Sequence, residues 1–467
     1  MPLDLACLLA DRAADKYTLH ERHLNAQMVR VLKTIGYDVN FVGAEGPYLF
    51  DAKGERYLDL LSGFGVFALG RNHPTVIDAL RQVLDARLAN LVQMDVSLLA
   101  GLLAERLLAR LPGMERVFFC NSGTEAVEGA IKFARQATGR SRILYCDHAF
   151  HGLTYGALSV NGDAVFRNGF GPLLPACDRV PFDDLPALEQ ALAAGDVAAF
   201  VVEPIQGKGV NLPSDSYLPE AARLCRRYGA LFVADEIQTG LGRTGRFLAL
   251  EHWGVEPDMV LLAKALSGGF VPVGAIAMRG WIFAKMFDRM DRALVHGSTF
   301  GKNDLAMAAG IATLEAMAEE RLVERAARAG DRLLVALEPL AARYDFVKAV
   351  RGKGLMIGIE FGSPRNLRLK TAWSLLDRVN KSLFCQMITI PLFERHRVLS
   401  QVSGHNTVIK LIPPLVLSEA DCDWASNAFD QVIGECQNVT GAVWDLGRSL
   451  ISHALKARGG AREAVPA

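Results

Sequence analysis

The sequence predicts an α/β fold, with a large domain built on a mostly parallel, doubly wound sheet and a smaller α+β domain after it. Between residues 76 and 330, short apolar runs alternate with stretches whose apolar residues recur at helical spacing. Continuous apolar runs are typical of strands buried on both faces of a parallel sheet. From residue 331 to 440 the alternation gives way to a hairpin-like segment among helices, which predicts the second domain.

The N-terminal segment, residues 1–75, is expected to join the smaller domain. An amphipathic helix is predicted over 18–36, and Tyr48–Asp51 and Tyr57–Asp59 alternate like a hairpin. Asn72 is the expected cap of a helix that starts near Pro74. The large sheet then has six candidate strands: Val117–Cys120, Ile143–Cys146, Ala198–Val202, Leu231–Ala234, Met259–Leu262 and Val273–Met278.

After Ala306 a long helical run extends to about residue 343, followed by a hairpin from Phe346 to Phe361. A helix is predicted over 371–384, with strands near 386–391 and 407–412. Residues 441–458 carry apolar side chains on one helical face, which predicts a docked tail helix, and 459–467 are expected to be disordered.

Composition excludes several classes of function. Lys+Arg and Asp+Glu each number 51, so a zero formal net charge gives no support for a nucleic-acid or anionic-membrane partner. The eight cysteines show no CxxC spacing, which predicts reduced thiols and no metal site. No signal peptide or membrane-spanning run is found, and we expect a cytoplasmic protein.

Two charged residues follow neighbouring candidate strands. Asp235 comes directly after Leu231–Ala234, and Lys264 follows Met259–Leu262. Ligands of open α/β sheets bind beyond the carboxyl ends of the strands, so both side chains can face one small molecule. A lysine that forms a Schiff base and an aspartate that protonates a ring nitrogen are the pair that pyridoxal phosphate chemistry needs. The alternative to a catalytic pair is a structural ion pair at the edge of the sheet.

Three further segments lie at strand ends. Ser122-Gly123-Thr124 opens a helix. In isolation a plain N-cap explains it better, but together with Lys264 and Asp235 it predicts a phosphate site. In Phe150-His151-Gly152 an aromatic ring could stack on a planar ligand, or belong to the core. Glu203 precedes a proline and suits a site or a helix cap.

The segment Gly240–Gly245 matches the letters of the G-x-G-x-x-G dinucleotide fingerprint. Asp235 to Thr239 separate it from the strand, and Arg246-Phe247-Leu248 does not start a crossover helix. We interpret the match as accidental, which makes a nicotinamide dehydrogenase the weakest hypothesis.

Taken together, these motifs resemble the class III (ω-amino-acid type) aminotransferases, pyridoxal 5′-phosphate enzymes of fold type I. The resemblance runs from about residue 20 to residue 435. It implies that Lys264 is the Schiff-base lysine, that Asp235 contacts the ring nitrogen and that Gln238 lies near the phenolic oxygen. The other implied cofactor contacts are Ser122, Gly123, Thr124, Phe150, His151, Glu203 and Thr299. Thr299 would come from a neighbouring subunit, which implies a homodimer with shared active sites.

Four positions depart from the ornithine and 4-aminobutyrate type of the family. An arginine that holds a substrate carboxylate is replaced by Leu153, and an entrance tyrosine by Phe64. An acid is replaced by Lys208, and the arginine that clasps an α-carboxylate by Lys410. Lysine is a point charge that lacks the bidentate fork of arginine.

The resemblance and these departures predict a ping-pong aminotransferase. Its donor would be an amino acid such as glutamate, held by Lys410 or Lys208. Its acceptor would be an aldehyde or ketone without a nearby carboxylate. The alternatives are an ornithine, acetylornithine or 4-aminobutyrate transaminase, an aminomutase or racemase on the same scaffold, and a cofactor-free binding protein.

Overall fold

The computed structural model describes residues 3–92, 95–403 and 407–437, and residue 444. The predicted tail helix and the end of the chain therefore lie outside the described residues, apart from Trp444, which is buried. In the part of the chain that is described, no helix combines the length and the apolar character that crossing a membrane requires. Within the same residues, no cluster of His, Cys, Asp and Glu is arranged to hold a metal ion.

The strands belong to one seven-stranded sheet and two four-stranded sheets. In chain order they are β1 Phe41–Glu45, β2 Tyr48–Asp51, β3 Arg56–Asp59, β4 Arg116–Cys120, β5 Arg142–Cys146, β6 Cys177–Val180, β7 Val197–Val202, β8 Leu231–Asp235, β9 Met259–Leu262, β10 Gly274–Met278, β11 Val347–Lys353, β12 Met356–Phe361, β13 Val398–Leu399, β14 Gln401–Ser403 and β15 Val408–Leu411.

The seven-stranded sheet has the order β4-β10-β9-β8-β7-β5-β6. The five strands β9, β8, β7, β5 and β6 are parallel to one another. Strand β10 is antiparallel to both of its neighbours, β4 and β9. All six predicted strands are present, with ends within one residue of those expected. The edge strand β6 was not predicted, because its sequence Cys-Asp-Arg-Val is half polar. The predicted fold class is confirmed.

Helices cover both faces of this sheet and connect the smaller sheets. The α-helices are Leu5–Asp11, Lys16–His23, Ala26–Thr34, Pro74–Ala86, Leu98–Leu108, Gly123–Thr138, Tyr155–Ser159, Ala164–Arg167, Leu185–Leu192, Tyr217–Tyr228, Gly280–Met286, Asp304–Glu319, Leu322–Leu337, Pro339–Arg343, Leu367–Val379, Leu383–His396 and Glu419–Glu435. Short 3-10 helices span Ala13–Asp15, Ala249–His252, Lys264–Ser267 and Met290–Arg292.

The two smaller sheets contain the predicted hairpins. In the order β1-β2-β3-β13, strands β2 and β3 pair antiparallel as expected, and β1 extends the hairpin. In the order β11-β12-β15-β14 all pairs are antiparallel, and β11 with β12 forms the hairpin predicted from Phe346 to Phe361. The boundaries proposed between the domains stay predictions.

Two predictions near the N-terminus are wrong in detail. The helix expected over 18–36 is two helices, because the backbone leaves helical geometry at Leu24 and the side chain of Asn25 caps the second helix by accepting from the Met28 amide at 3.1 Å. Asn72 does not cap the next helix. Its Nδ2 instead donates to the Ala44 carbonyl at 2.7 Å, and His73 directly precedes the helix at Pro74.

Two predictions in the C-terminal part also need correction. The strand expected near 386–391 is part of the helix Leu383–His396. Most of that helix is buried, so its apolar residues show no helical period that distinguishes it from a buried strand. The run after Ala306 is three helices, and the first two are separated at Arg321, whose φ is 53°.

Candidate active site

A cavity of about 780 Å³ lies at the carboxyl ends of β7, β8 and β9, facing the sheet that contains β15. Because these three strands are parallel neighbours, their ends open at one edge, which brings Glu203, Asp235 and Lys264 together. The cavity is lined by all the sequence-predicted site residues except Thr299: Phe64, Ser122, Gly123, Thr124, Phe150, His151, Leu153, Glu203, Lys208, Asp235, Gln238, Lys264 and Lys410.

Lys264 is the first residue of a 3-10 helix that begins two residues after β9. Its φ of 44° is a sparsely populated conformation for a residue other than glycine, of the kind found at functional sites. Its ammonium group makes no hydrogen bond or ion pair with any described residue, and it lines the cavity. Burial lowers the pKa of Lys264, and the charges of Asp235 and Glu203 oppose that shift. A lysine with a depressed pKa and no competing partner is suited to nucleophilic attack.

Asp235 and His151 form a buried pair below the cavity. The Asp235 Oδ2 atom lies 2.6 Å from His151 Nδ1, and Asp235 Oδ1 accepts from the Ile237 amide at 3.0 Å. Although burial acts to lower the pKa of His151, the hydrogen bond and charge of Asp235 raise it above its ordinary value. The imidazole therefore fixes the position of the carboxylate.

Glu203 is also buried, and it connects two loops of the site. Its Oε2 accepts from the Phe150 amide at 3.0 Å, and its Oε1 accepts from the Gly207 amide at 2.9 Å. Burial raises the pKa of Glu203 despite the opposing charge of His151. Of the two roles that the sequence left open, Glu203 has the position in the site and caps no helix.

The loop before the helix Gly123–Thr138 forms a phosphate-sized cradle. Ser122 is the N-cap, and its hydroxyl accepts from the Glu125 amide at 3.2 Å. The amides of Gly123 and Thr124 come before the first intrahelical bond and can serve an external anion. Gly152, at φ 123°, closes one side of the cradle, because a Cβ there would lie 2.4 Å from Thr124 Oγ1.

Aromatic side chains form two walls of the cavity. Phe150 packs edge-to-face on Phe166, with ring centroids 5.4 Å apart. On the other side, Ser62 to Gly65 form a turn in which all four residues have positive φ. Phe64 is half exposed in this turn, and its carbonyl accepts from Gln238 Nε2 at 3.0 Å.

Lys410 reaches the cavity from β15. Its Nζ donates to the Gly207 carbonyl at 2.8 Å and to Gln238 Oε1 at 3.2 Å. Both acceptors are neutral, and within the described residues no carboxylate forms an ion pair with this buried ammonium. Burial, and after it the charge of Lys264, lower the pKa of Lys410 to about 7.

Lys208 also lines the cavity, but an acidic residue already holds it. Its Nζ lies 2.6 Å from Asp163 Oδ2 and 4.3 Å from the centroid of the Phe166 ring. The two lysines therefore differ in their partners, because Lys208 has an anionic partner and Lys410 has neutral ones.

Thr299 is the predicted site residue that this chain does not bring to its own cavity. It is exposed, in a loop before the helix Asp304–Glu319.

The Gly240–Gly245 segment forms turns, and the next helical element is the short 3-10 helix Ala249–His252. The strand–turn–helix unit of a dinucleotide site is therefore not formed.

Several lining residues were not singled out from the sequence. Phe270 and Val271 follow the Gly268-Gly269 pair after Lys264, a signal that could have suggested a loop at the site. Phe166 lies on the short helix Ala164–Arg167, which carries no chemical motif, and Asp163, the N-cap of that helix, reaches the cavity only through Lys208. The remaining unpredicted wall includes Ser267, Gln401 and Ser403.

These residues fit pyridoxal 5′-phosphate. The loop Ser122–Thr124 can bind its phosphate. Lys264 can bond to its carbonyl carbon, and Asp235 can contact its ring nitrogen. Phe150 lines the same cavity and can serve as a wall for a planar ring. The Nε2 atom of His151 is buried without a hydrogen-bond partner among the described residues. Buried polar atoms usually have a hydrogen-bond partner, so this nitrogen indicates that a bound group completes this part of the site.

Comparisons with known proteins agree with this chemistry. The family model for class III aminotransferases matches residues 34–433. The aminotransferase PigE of a Serratia species is 39% identical over 464 residues, and the chain spans about half the length of that relative, 54%. An ornithine aminotransferase of Bacillus cereus is 39% identical over 84% of this chain and 93% of its own length.

Solved structures give the same answer. The ornithine aminotransferase of Toxoplasma gondii superposes with a TM-score of 0.81 and 30% identity, covering 94% of this chain and 99% of that one. An amine transaminase from an uncultivated Pseudomonas species, in its PLP-bound form, superposes with a TM-score of 0.74 and 30% identity, covering 85% of this chain and 95% of that one.

Proposed function

The chain belongs to the class III aminotransferases, which depend on pyridoxal 5′-phosphate, and on this premise we propose which substrates it uses. The amino donor is an amino acid, glutamate, whose carboxylate binds Lys410. The acceptor is an aldehyde or ketone without a carboxylate near its reacting carbon. The observation that carries the proposal is the buried Lys410 ammonium, whose protein partners are two neutral oxygens.

A donor carboxylate at Lys410 completes the environment of this ammonium. A buried charge without an ionic partner is unfavourable, and a charge-assisted hydrogen bond is about twice as strong as a neutral one. Lys410 has one N–H left after the Gly207 and Gln238 contacts. A donor carboxylate thus gains binding energy from the Lys410 ammonium, whose charge has no anionic partner among the described residues.

In the proposed mechanism the chain positions groups and moves protons. The bound cofactor supplies the electron-withdrawing ring that stabilises negative charge at the donor carbon. Lys264 would hold the cofactor through its carbonyl carbon, and as a free amine it would carry the proton from the donor Cα. Asp235 would hold the proton on the ring nitrogen, and His151 fixes Asp235. Glu203 fixes the backbone of Phe150 and Gly207, and Gln238 would contact the phenolic oxygen.

The wall around the entrance supports an uncharged acceptor. Phe64 is 50% exposed and Leu153 is 56% exposed, and both face the cavity. Phe166, Phe270 and Val271 extend this apolar surface. An acceptor with an apolar substituent buries that substituent here, whereas a second carboxylate on the acceptor meets no arginine at position 153.

A second candidate is transamination of ornithine or acetylornithine. It is favoured by relatives with those names that are 38–39% identical to this chain. The replacement of an arginine by Leu153 argues against it, because that position would have to hold a substrate carboxylate.

The first test is the absorbance spectrum of the purified holoenzyme before and after addition of a donor. We expect a band near ~420 nm that moves toward ~330 nm with glutamate, as the cofactor takes the amino group. Aldehyde and ketone acceptors should then restore the first band. Faster conversion by ornithine than by glutamate would favour the second candidate. A racemase or aminomutase would leave the first band in place.

The proposal extends to assembly and location. Thr299 contacts the cofactor phosphate of a second subunit in a homodimer with shared active sites. Exposed apolar side chains near Thr299, at Met290, Leu294 and Phe300, support a covered surface. The eight cysteines are free thiols, which supports a reducing, cytoplasmic compartment. Light scattering after size exclusion tests the dimer, and a monomer that is fully active would contradict it.

A further inference from the structure

An ion pair with Asp163 and a contact with the Phe166 ring hold the Lys208 side chain. Asp163 is the N-cap of the helix Ala164–Arg167, where its Oδ1 accepts from the Val165 amide at 3.0 Å. Its other oxygen, Oδ2, binds Lys208 Nζ at 2.6 Å. The capping bond fixes the carboxylate before the lysine binds it, so little additional side-chain freedom is lost.

An aromatic ring also contacts Lys208. The Lys208 ammonium lies over the Phe166 ring, and Phe166 packs on Phe150. The side chains of Lys208 and Asp163 are 26% and 24% exposed, so solvent screens their attraction less than at an open surface. Lys208 nevertheless lines the same cavity as Lys410.

The charge balance of the cavity depends on this pair. Three ammonium groups line it, at Lys208, Lys264 and Lys410, together with the carboxylates Asp235 and Glu203. The Lys208 charge is one of those that lower the pKa of Lys410. Asp163 neutralises Lys208, which leaves Lys410 as the lysine that receives a substrate carboxylate.

We propose that the Asp163–Lys208 ion pair is a specificity-determining element that withholds a second carboxylate-binding lysine from the substrate cavity. The inference rests on the proposed function, in which Lys410 binds the first carboxylate. Its consequence is that the enzyme holds one carboxylate of glutamate and not the other. Glutamate and alanine are then donors of similar efficiency, and breaking the pair turns the site toward dicarboxylates.

The test uses the variant Asp163→Asn in the full-length holoenzyme. Asparagine is as good an N-cap as aspartate, so the helix start is kept while the charge is removed. The matched control is Asp184→Asn, the same change at the N-cap of the helix Leu185–Leu192, where Asp184 accepts from the Ala187 amide at 2.9 Å and does not line the cavity. The probe is glutarate, a dicarboxylate that has no amino or carbonyl group to exchange, and binding is measured by calorimetry.

We expect Asp163→Asn to bind glutarate about tenfold more tightly than the wild type, the change that one added charge-assisted hydrogen bond produces. The ratio of kcat/KM for glutamate to that for alanine should rise by a similar factor. Asp184→Asn should match the wild type. In the double variant Asp163→Asn, Lys208→Met the gain should vanish, because the released ammonium is then missing.

Two results overturn the inference. One is an unchanged glutarate affinity in Asp163→Asn. The other is an equal gain in the single and the double variant, which assigns the effect to the lost negative charge of Asp163 and not to Lys208. Failure of the proposed function is distinguishable, because it appears as absent amino transfer from glutamate in the wild type, whereas glutarate binding requires no turnover.

Discussion

The two halves of the cavity are built on different principles. The half at the ends of β7, β8 and β9 contains Asp235, His151 and Glu203, which are fixed by buried hydrogen bonds. It also contains Lys264, which follows a strand of the parallel sheet and makes no such bond among the described residues. The opposite half is formed by the Ser62–Gly65 turn, the helix Ala164–Arg167 and β15.

This difference separates chemistry from selection. Under the proposed function, the sheet-end half contains the residues that hold the cofactor and carry protons. The entrance half contains Lys410, a cation with neutral partners, and Lys208, a cation with an acidic partner. We therefore expect substitutions in the first half to reduce turnover with every substrate. Substitutions in the second should change which substrate is used.

The largest expected effect is that of Lys264→Ala. It removes both the nucleophile and the proton carrier, and we expect turnover to fall by at least about 10⁴-fold with every donor. The measurement is the single-turnover rate of cofactor conversion by glutamate. Lys53→Ala, at an exposed lysine that does not line the cavity, is the control and should leave the rate unchanged. A loss confined to one donor would erase the distinction between the halves.

Asp235→Asn should have the next largest effect. The amide oxygen can still accept from the Ile237 amide, but the negative charge opposite the ring nitrogen is lost. We expect kcat to fall by about 10²- to 10³-fold with amino-acid and amine donors alike. Without the charge of Asp235, the pKa of His151 should also fall, which NMR titration of the imidazole detects. Asp215→Asn, at an exposed aspartate, is the control. Equal kcat values in the variant and the wild type would refute the assigned role.

Lys410→Met tests the entrance half. Loss of a hydrogen bond to a charged group should raise KM for glutamate by about 10- to 100-fold. An amine donor without a carboxylate should keep its KM, and the two donors thus report on different halves of the cavity. An equal rise for both donors would mean that Lys410 acts through Gln238 and Gly207 rather than on a carboxylate.

The same residue predicts a pH dependence with a defined sign. Since the pKa of Lys410 is about 7, its ammonium is present below that pH and is lost as the pH rises through it. The ratio of kcat/KM for glutamate to that for the amine donor should therefore fall above about pH 7. Titration of Lys264 affects both donors and cancels in the ratio. In Lys410→Arg, the side chain stays charged and the ratio should be flat.

The same two halves differ in how far the sequence predicts them. Asp235 and Lys264 directly follow apolar runs, and parallel strands open at one edge, so local pattern was sufficient to bring them together. Lys410 contacts Gln238 across 172 positions, and Lys208 pairs with Asp163 across 45. No local pattern encodes such pairs, and the sequence could not tell which lysine had an acidic partner. The helix Leu383–His396 was missed for a related reason, since burial on most sides removes its period.

The smallest effect is expected from Leu153→Arg, which restores the arginine of the ornithine and 4-aminobutyrate type. Leu153 is 56% exposed on the cavity wall, so an arginine fits there without burying its charge. A partly solvated pair contributes little, and we expect kcat/KM for 4-aminobutyrate to rise about two- to fivefold. Leu98→Arg, at a 75% exposed leucine outside the cavity, is the control. A gain above about 100-fold would mean that the entrance is otherwise complete for ω-amino acids. The departures at Phe64, Lys208 and Lys410 would then have no part in selecting substrates.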